Sequence, residues 1–310
     1  MDKIRRSPLF LDGWLEFNQR HWNLQPLRVR HAPEGAAPAI ETVLYLDSSG
    51  RIVHPKLNPY VPIAFEVTPT PAAYRRQRQW MAVADLLAAE MRERGVHGVL
   101  RLTPEVRDVR PWQWTGFHAS VSYTFCIDYP FDFQSVDGAI RNKVRAAQKA
   151  GYTCRRTREM KEVLPCLVGT EGRQHFRHEL TLQSLELARE LLGDDHLVAH
   201  VCCSPSGEPV SACVDLYQPG SRVLGWVAGT RPDHLQPGAA QALLAFLIQE
   251  YQAMGASSFD LTGANIRGVA AAKLGWGAHL TPYFRIESYG LRSVLGWARE
   301  WYSRRLAERK

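Results

Sequence analysis

The strongest constraint on this chain is one order of elements that occurs twice. In the C-terminal half, the apolar alternating runs His196 to Ser204 and Val210 to Tyr217 flank Pro205-Ser206-Gly207-Glu208. That pattern predicts a β-hairpin. A third strand is expected at Arg222 to Val227. A helix follows over Gly238 to Met254, with Leu243, Leu244, Phe246, Leu247 and Tyr251 at helical spacing and Gly255 as its stop. A short strand at Ser257 to Leu261, the loop Thr262-Gly263-Ala264-Asn265, a short helix around Val269 to Leu274 and a strand from about Leu280 to Ile286 complete the half.

The N-terminal half repeats this order more faintly. Thr42 to Leu46 and Ile52 to His54 flank Asp47-Ser48-Ser49-Gly50, a second hairpin signal. Pro59 to Val67 reads as a third strand, with Pro62 forcing an edge or a bend. Pro71 opens a helix that reaches Gly95, and strands are expected at Gly98 to Leu102 and Ser120 to Ile127. The glycine-aromatic turns match as well, Gly116-Phe117-His118 against Gly275-Trp276-Gly277. A duplicated α+β unit is the simplest reading. We therefore expect two tandem lobes, 1–130 and 131–288, with a C-terminal basic amphipathic helix over 289–310.

A length of 310 residues suits two lobes, each able to bury its own core. With 45% hydrophobic and 22% charged residues, the composition argues for a folded protein rather than a disordered one. The apolar stretch after Arg6 is interrupted by Asp12, which argues against a signal peptide or a membrane span and for a cytoplasmic protein. The six cysteines form no CxxC pair, so neither a zinc site nor a disulfide framework is expected, and buried thiols are the reading. A net charge of +7 favours anionic partners without choosing among RNA, nucleotide and membrane.

Two segments concentrate that charge. Val136 to Gly151 is read as a helix with Arg141, Arg145 and Lys149 on one face and Lys143 to the side, followed by Arg155, Arg156 and Arg158. This is either a solvated face or a phosphate-binding edge. The terminal helix, with Leu291, Val294, Leu295, Trp301 and Tyr302 as its apolar stripe, either docks on the protein's own core or makes peripheral membrane or RNA contact.

The run Arg141 to Gly151, then Phe259 to Asn265, then Lys273-Leu274-Gly275-Trp276-Gly277 resembles the Fem family, GNAT-like enzymes that attach amino acids from aminoacyl-tRNA to peptidoglycan precursors. Asp108-Val109-Arg110, Trp114-Thr115-Gly116-Phe117 and Tyr123-Thr124-Phe125 resemble the front lobe of such proteins. The resemblance implies a paired-lobe GNAT fold with the acceptor between the lobes. It also implies that Lys273 helps to stabilise the charged intermediate. Ala272 stands where the family commonly has an aromatic residue, so the shape of the acyl pocket departs from the family's.

Amide formation from an ester or thioester needs a neutral amine, a route for its proton and donors for the oxyanion. Lys273 is the principal catalytic candidate. Asp260, at the end of an apolar strand, is the second, and a turn-capping carboxylate is its alternative reading. Asp108, Trp114, Tyr123, Asn265 and Tyr283 are the acceptor-binding candidates, and Asp215 is a weaker carboxylate on the central hairpin. Arg141, Lys143, Arg145 and Lys149 are the candidates for phosphate or tRNA contact.

The loop His234 to Ala240 contains Pro237 and a single glycine, a poor match to a pyrophosphate-binding turn. No tightly bound cofactor is expected. The co-substrate is aminoacyl-tRNA or, alternatively, acyl-CoA. A non-catalytic binding protein on the same fold is the third reading. His175 and His178 have a spacing that a metal can use, but no partner ligand is evident, so no metal is expected. On this reading Lys273→Ala lowers turnover and leaves the melting temperature nearly unchanged.

Overall fold

The computed structural model describes residues 7–33, 35–174 and 177–288. The terminal helix expected over 289–310 lies outside the described residues, as does His175. Along the chain come α1 (Asp12–Trp22), β1 (Gln25–His31), β2 (Ala39–Leu46), β3 (Ile52–Val53), β4 (Ile63–Glu66), α2 (Ala73–Arg94), β5 (Val96–His97) and β6 (Val99–Arg101). Next are α3 (Arg110–Trp114), β7 (Phe117–Asp128), α4 (Gly138–Lys149), β8 (Thr153–Thr157), α5 (Met160–Gln174) and α6 (Leu182–Leu192). The C-terminal part adds β9 (Leu197–Cys203), β10 (Pro209–Leu216), β11 (Arg222–Thr230), α7 (Ala239–Ala253), β12 (Ser258–Asp260), α8 (Arg267–Leu274) and β13 (His279–Ser288). This is the mixed α+β architecture that the sequence predicts. Among the described residues no helix is long and apolar enough to cross a membrane.

The chain forms two compact units, and neither is continuous in sequence. The larger holds 7–23, 56–59 and 123–282; the smaller holds 24–55, 60–122 and 283–288. The partition therefore interleaves the chain and does not coincide with a cut at 130/131.

In the smaller unit, β2 pairs antiparallel with β1, β3 and β4, and β3 pairs in parallel with β5. β4 begins at Ile63, just past Pro62, whose missing N–H cannot enter the ladder. The Pro62 carbonyl instead accepts the buried Thr42 hydroxyl at 2.7 Å. One stripe of α2, Val83, Ala84, Leu87, Ala88 and Met91, is fully buried against Ile40, Leu44, Ile52, Leu100 and Trp112. Each large side chain removed from water this way contributes about 1.5–3 kcal/mol.

In the larger unit the strands run in the order β7, β12, β11, β10, β9, β8. All neighbours are antiparallel except β11 and β12, which α7 connects as a parallel crossover. The core beneath α7 includes Val198, Tyr217, Val223, Leu243, Leu247, Ile248, Tyr251, Phe259 and Trp276. The β11–β12 ladder stops at Leu224↔Asp260, whereas β11 continues to Thr230. The residues after Asp260 thus lie at the open end of a parallel strand pair, the position where α/β sheets generally place their ligands.

Candidate active site

Immediately past β12 the backbone turns back on itself. Thr262 and Gly263 both have positive φ, 48° and 63°. For a β-branched threonine this conformation is strained, at a cost of order 1–3 kcal/mol. Three bonds hold it: the Thr262 N–H donates to Asp260 Oδ1 at 2.8 Å, its hydroxyl donates to the Gly225 carbonyl at 3.1 Å, and its own carbonyl accepts from the Lys273 ammonium. Gly225 leaves room for this turn, since a Cβ on it would stand a tight 3.3 Å from the Asp260 carbonyl oxygen.

Lys273 comes from the last turn of α8 and reaches back beneath this turn. Its Nζ donates to the carbonyls of Leu261 at 2.7 Å and Gly263 at 3.3 Å, as well as to that of Thr262. An ammonium has three N–H donors, and here all three are engaged. Burial pulls the Lys273 pKa down to about 8, while the nearby Asp260 charge works in the opposite direction. Asp260 is fully buried, and its Oδ1 also accepts the Thr124 hydroxyl at 2.5 Å. The site is therefore a cation held among carbonyls by a buried carboxylate one turn away.

Asn265 and Tyr123 join this cluster. The Asn265 side chain accepts from the Tyr123 N–H at 2.9 Å and donates to the Tyr123 carbonyl at 3.0 Å. It thereby acts as one rung of a ladder, tying the loop before α8 to β7. The Tyr123 side chain stays largely exposed. The larger unit thus brings together Lys273, Asp260, Asn265 and Tyr123.

The other acceptor-binding candidates belong to the smaller unit. Asp108 forms a two-point ion pair with Arg110, at 2.9 and 2.8 Å, and that guanidinium holds its carboxyl below the usual range. Arg110 also lies over the exposed Trp114 ring, 5.5 Å from its centroid. Tyr283 is buried edge-on against Tyr60.

The basic segment splits into two kinds of residue. Arg155 pairs with Glu162 at 2.7 Å and Arg158 with Asp194 at 2.7 Å, while Arg156 donates to the Asp194 carbonyl. These three are structural ties. On α4, by contrast, Arg141 donates to the Gln134 side chain and Arg145 to that of Asn142, and among the described residues no carboxylate pairs with Arg141, Lys143, Arg145 or Lys149. α4 packs on the start of α7: a Cβ on Gly238, the α7 N-cap residue (φ 92°), would stand 3.0 Å from Lys143 Cγ. His178, the described member of the histidine pair, is bonded to Glu171 at 3.0 Å.

One group has more weight than its sequence signal suggested. Asp215 is fully buried beside a β-bulge, accepting the Tyr251 hydroxyl and the Cys213 thiol, the latter at 3.2 Å. Burial raises its pKa to about 7 despite these donors. Its signal was a lone carboxylate within an otherwise apolar alternating strand.

Residues 134–273 match a family model described as an acetyltransferase (GNAT) domain. No curated protein matches the sequence. Among solved structures, FemX is similar at a TM-score of 0.66 with 13% identity, covering 91% of this chain and 93% of its own. A domain assigned as the C-terminal part of a lysylphosphatidylglycerol synthetase from Agrobacterium fabrum aligns at a TM-score of 0.61 and 11% identity, covering 94% and 91%. L-PGS from Bacillus licheniformis aligns at 0.56 and 13%, covering 94% and 96%. Residues 134–273 are thus similar to a GNAT acetyltransferase domain, and the chain shares its fold with FemX.

Proposed function

We propose that this protein is an acyltransferase that forms an amide by moving an aminoacyl group from aminoacyl-tRNA onto an amine of a peptide, a peptidoglycan precursor or a small molecule. The observation that carries the reading is the Lys273 ammonium, half-buried among backbone carbonyls at the open end of β12. In the reaction the amine nitrogen attacks the ester carbonyl carbon and the carbonyl oxygen takes the electron pair. Collapse then expels the ribose oxygen of the tRNA, which gains the proton that the amine loses. A cation in a poorly solvated site stabilises the transient oxyanion far more than it would in water. The 3.3 Å bond to Gly263 is the longest of the three, so it is the one to exchange for the oxyanion. On this reading Asp260 keeps the ammonium charged and holds the turn, and Tyr123, tied to the same loop through Asn265, contacts the acceptor.

The α4 cations favour tRNA as donor. Arg141, Lys143, Arg145 and Lys149 have no carboxylate to neutralise them among the described residues, and such a face suits a phosphate backbone. The fold is also shared with a lysylphosphatidylglycerol synthetase domain, which makes an aminoacyl cargo a natural expectation. Acyl-CoA is the second reading. It is favoured by the family model and by the α7 N-terminus, where no side chain caps the first N–H groups. Charged tRNA would place the work in the cytoplasm.

Product mass spectrometry with an amine panel, supplied with charged tRNA or acetyl-CoA one at a time, tests the proposal. Aminoacylated product from tRNA is expected. Turnover with acetyl-CoA and none with charged tRNA would overturn the donor assignment.

A further inference from the structure

Five of the six cysteines are buried, and the exception, Cys154, stands on the edge strand β8 directly opposite Cys202 of β9. Directly opposed residues of an antiparallel pair project to the same face with Cα atoms about 4.5–5.5 Å apart. That separation lies inside the range of about 4.4–6.8 Å that a disulfide spans. Both side chains belong to the same core, Cys202 within it and Cys154 packed against its rim. We propose that Cys154 and Cys202 form an oxidisable dithiol, a site at which hydrogen peroxide installs a cross-strand disulfide, with Cys154 as the attacking thiol and Cys202 as the resolving one.

The assignment of roles follows from access and from charge. Cys154 is only partly buried and sits at the rim of the core, whereas Cys202 is fully buried. The pairing holds the Cys154 pKa down and, with burial, pushes that of Cys202 up, so the more accessible Cys154 is also the more readily ionised of the two. Its thiolate sulfur attacks a peroxide oxygen, the O–O bond breaks, and the departing hydroxide takes a proton to become water. Cys154 is then a sulfenic acid. The Cys202 sulfur attacks the Cys154 sulfur, the S–S bond forms, the S–O bond breaks, and the hydroxyl leaves with the Cys202 proton as a second water. Two thiols are oxidised by two electrons and one peroxide is reduced to two waters. The new bond closes the stretch that contains α5 and α6, so it stabilises the native state by restricting the unfolded one.

The test treats the full chain with hydrogen peroxide in the presence of dimedone, which traps sulfenic acids, and maps peptides without reduction. The wild type should give a Cys154–Cys202 cross-link and a melting temperature that rises, then returns on addition of dithiothreitol. Cys202→Ser should give a dimedone adduct at Cys154, and Cys154→Ser should give neither product. Should a serine variant fail to fold, the wild-type map decides alone. A first adduct on Cys202, a cross-link between other cysteines, or intact Cys154 and Cys202 at a peroxide level that oxidises the denatured chain would overturn the proposal.

Discussion

The two units bury different kinds of side chain. Beneath α2, the smaller unit has an apolar core of Val83, Leu87, Met91, Leu100 and Trp112, and among its described residues no Asp, Glu, Lys, Arg or His is buried. Its charges meet in half-exposed pairs such as Asp108–Arg110 and Glu90–Arg94. The larger unit buries Asp215, Asp260, His178 and His200 outright and tucks the Lys273 ammonium under a turn. Burying a charge costs several kcal/mol unless it is paired and hydrogen-bonded. A chain able to build the apolar core of the smaller unit, yet keeping these groups inside the larger one, makes the larger unit the candidate for the proposed chemistry.

The largest expected effect tests the smaller unit. Leu87→Ala should lower unfolding free energy by about 2–5 kcal/mol, read by denaturant titration, and leave kcat/KM of the folded fraction unchanged. A kinetic defect at full folding would blur the contrast. Next comes Lys273→Ala, which leaves the carbonyls of Leu261, Thr262 and Gly263 without their donor. A loss of about 1–3 kcal/mol is expected.

Smaller per pH unit are two effects of opposite sign. Asp215 has a folded pKa raised to about 7, so the native state holds the extra proton and stability falls as pH rises from about 4 to 7. Lys273 has a folded pKa lowered to about 8, so the unfolded state binds more protons above that value and stability climbs from pH 8 towards 10. Each slope is at most about 1.4 kcal/mol per pH unit. Asp215→Asn should remove the first slope and Lys273→Met the second, in denaturant midpoints measured across pH. Finally, Arg145→Ala and Lys149→Ala should each reduce the salt slope of tRNA binding by about 1 and change stability by less than about 0.5 kcal/mol. Filter binding at graded salt checks the first quantity.

The elements that the sequence exposed were those with sharp punctuation. The β9–β10 hairpin follows from Pro205-Ser206-Gly207-Glu208, closed by Ser204 N–H donating to Glu208 O at 2.8 Å, and α7 ends at Gly255 with φ of 74°. The elements missed lacked such marks. α1 has no side-chain cap, α5 carries Pro165 within it, and β8 reads Thr-Cys-Arg-Arg-Thr, too polar to stand out from the basic run before it. The Thr181–Ser184 capping box of α6 was a legible signal that went unused.

The site was legible in part for a physical reason. A lysine at 273 is unremarkable by composition, and only the Fem-like order of motifs singled it out. Its three carbonyl partners are set by two consecutive positive φ values, which only Gly263 announces. Asp215 was undervalued because a strand pattern shows that a carboxylate faces inward but not that tyrosine and cysteine donors wait there.

The most direct test of the central claim is amide formation by Lys273→Met, which keeps the apolar stem and removes the charge, measured by product mass spectrometry at equal folded fraction. An ammonium that stabilises the oxyanion predicts a fall in kcat of about 100-fold or more, with the acceptor KM little changed. A variant that turns over like the wild type would contradict it, leaving Lys273 as a clasp for the 261–263 turn alone.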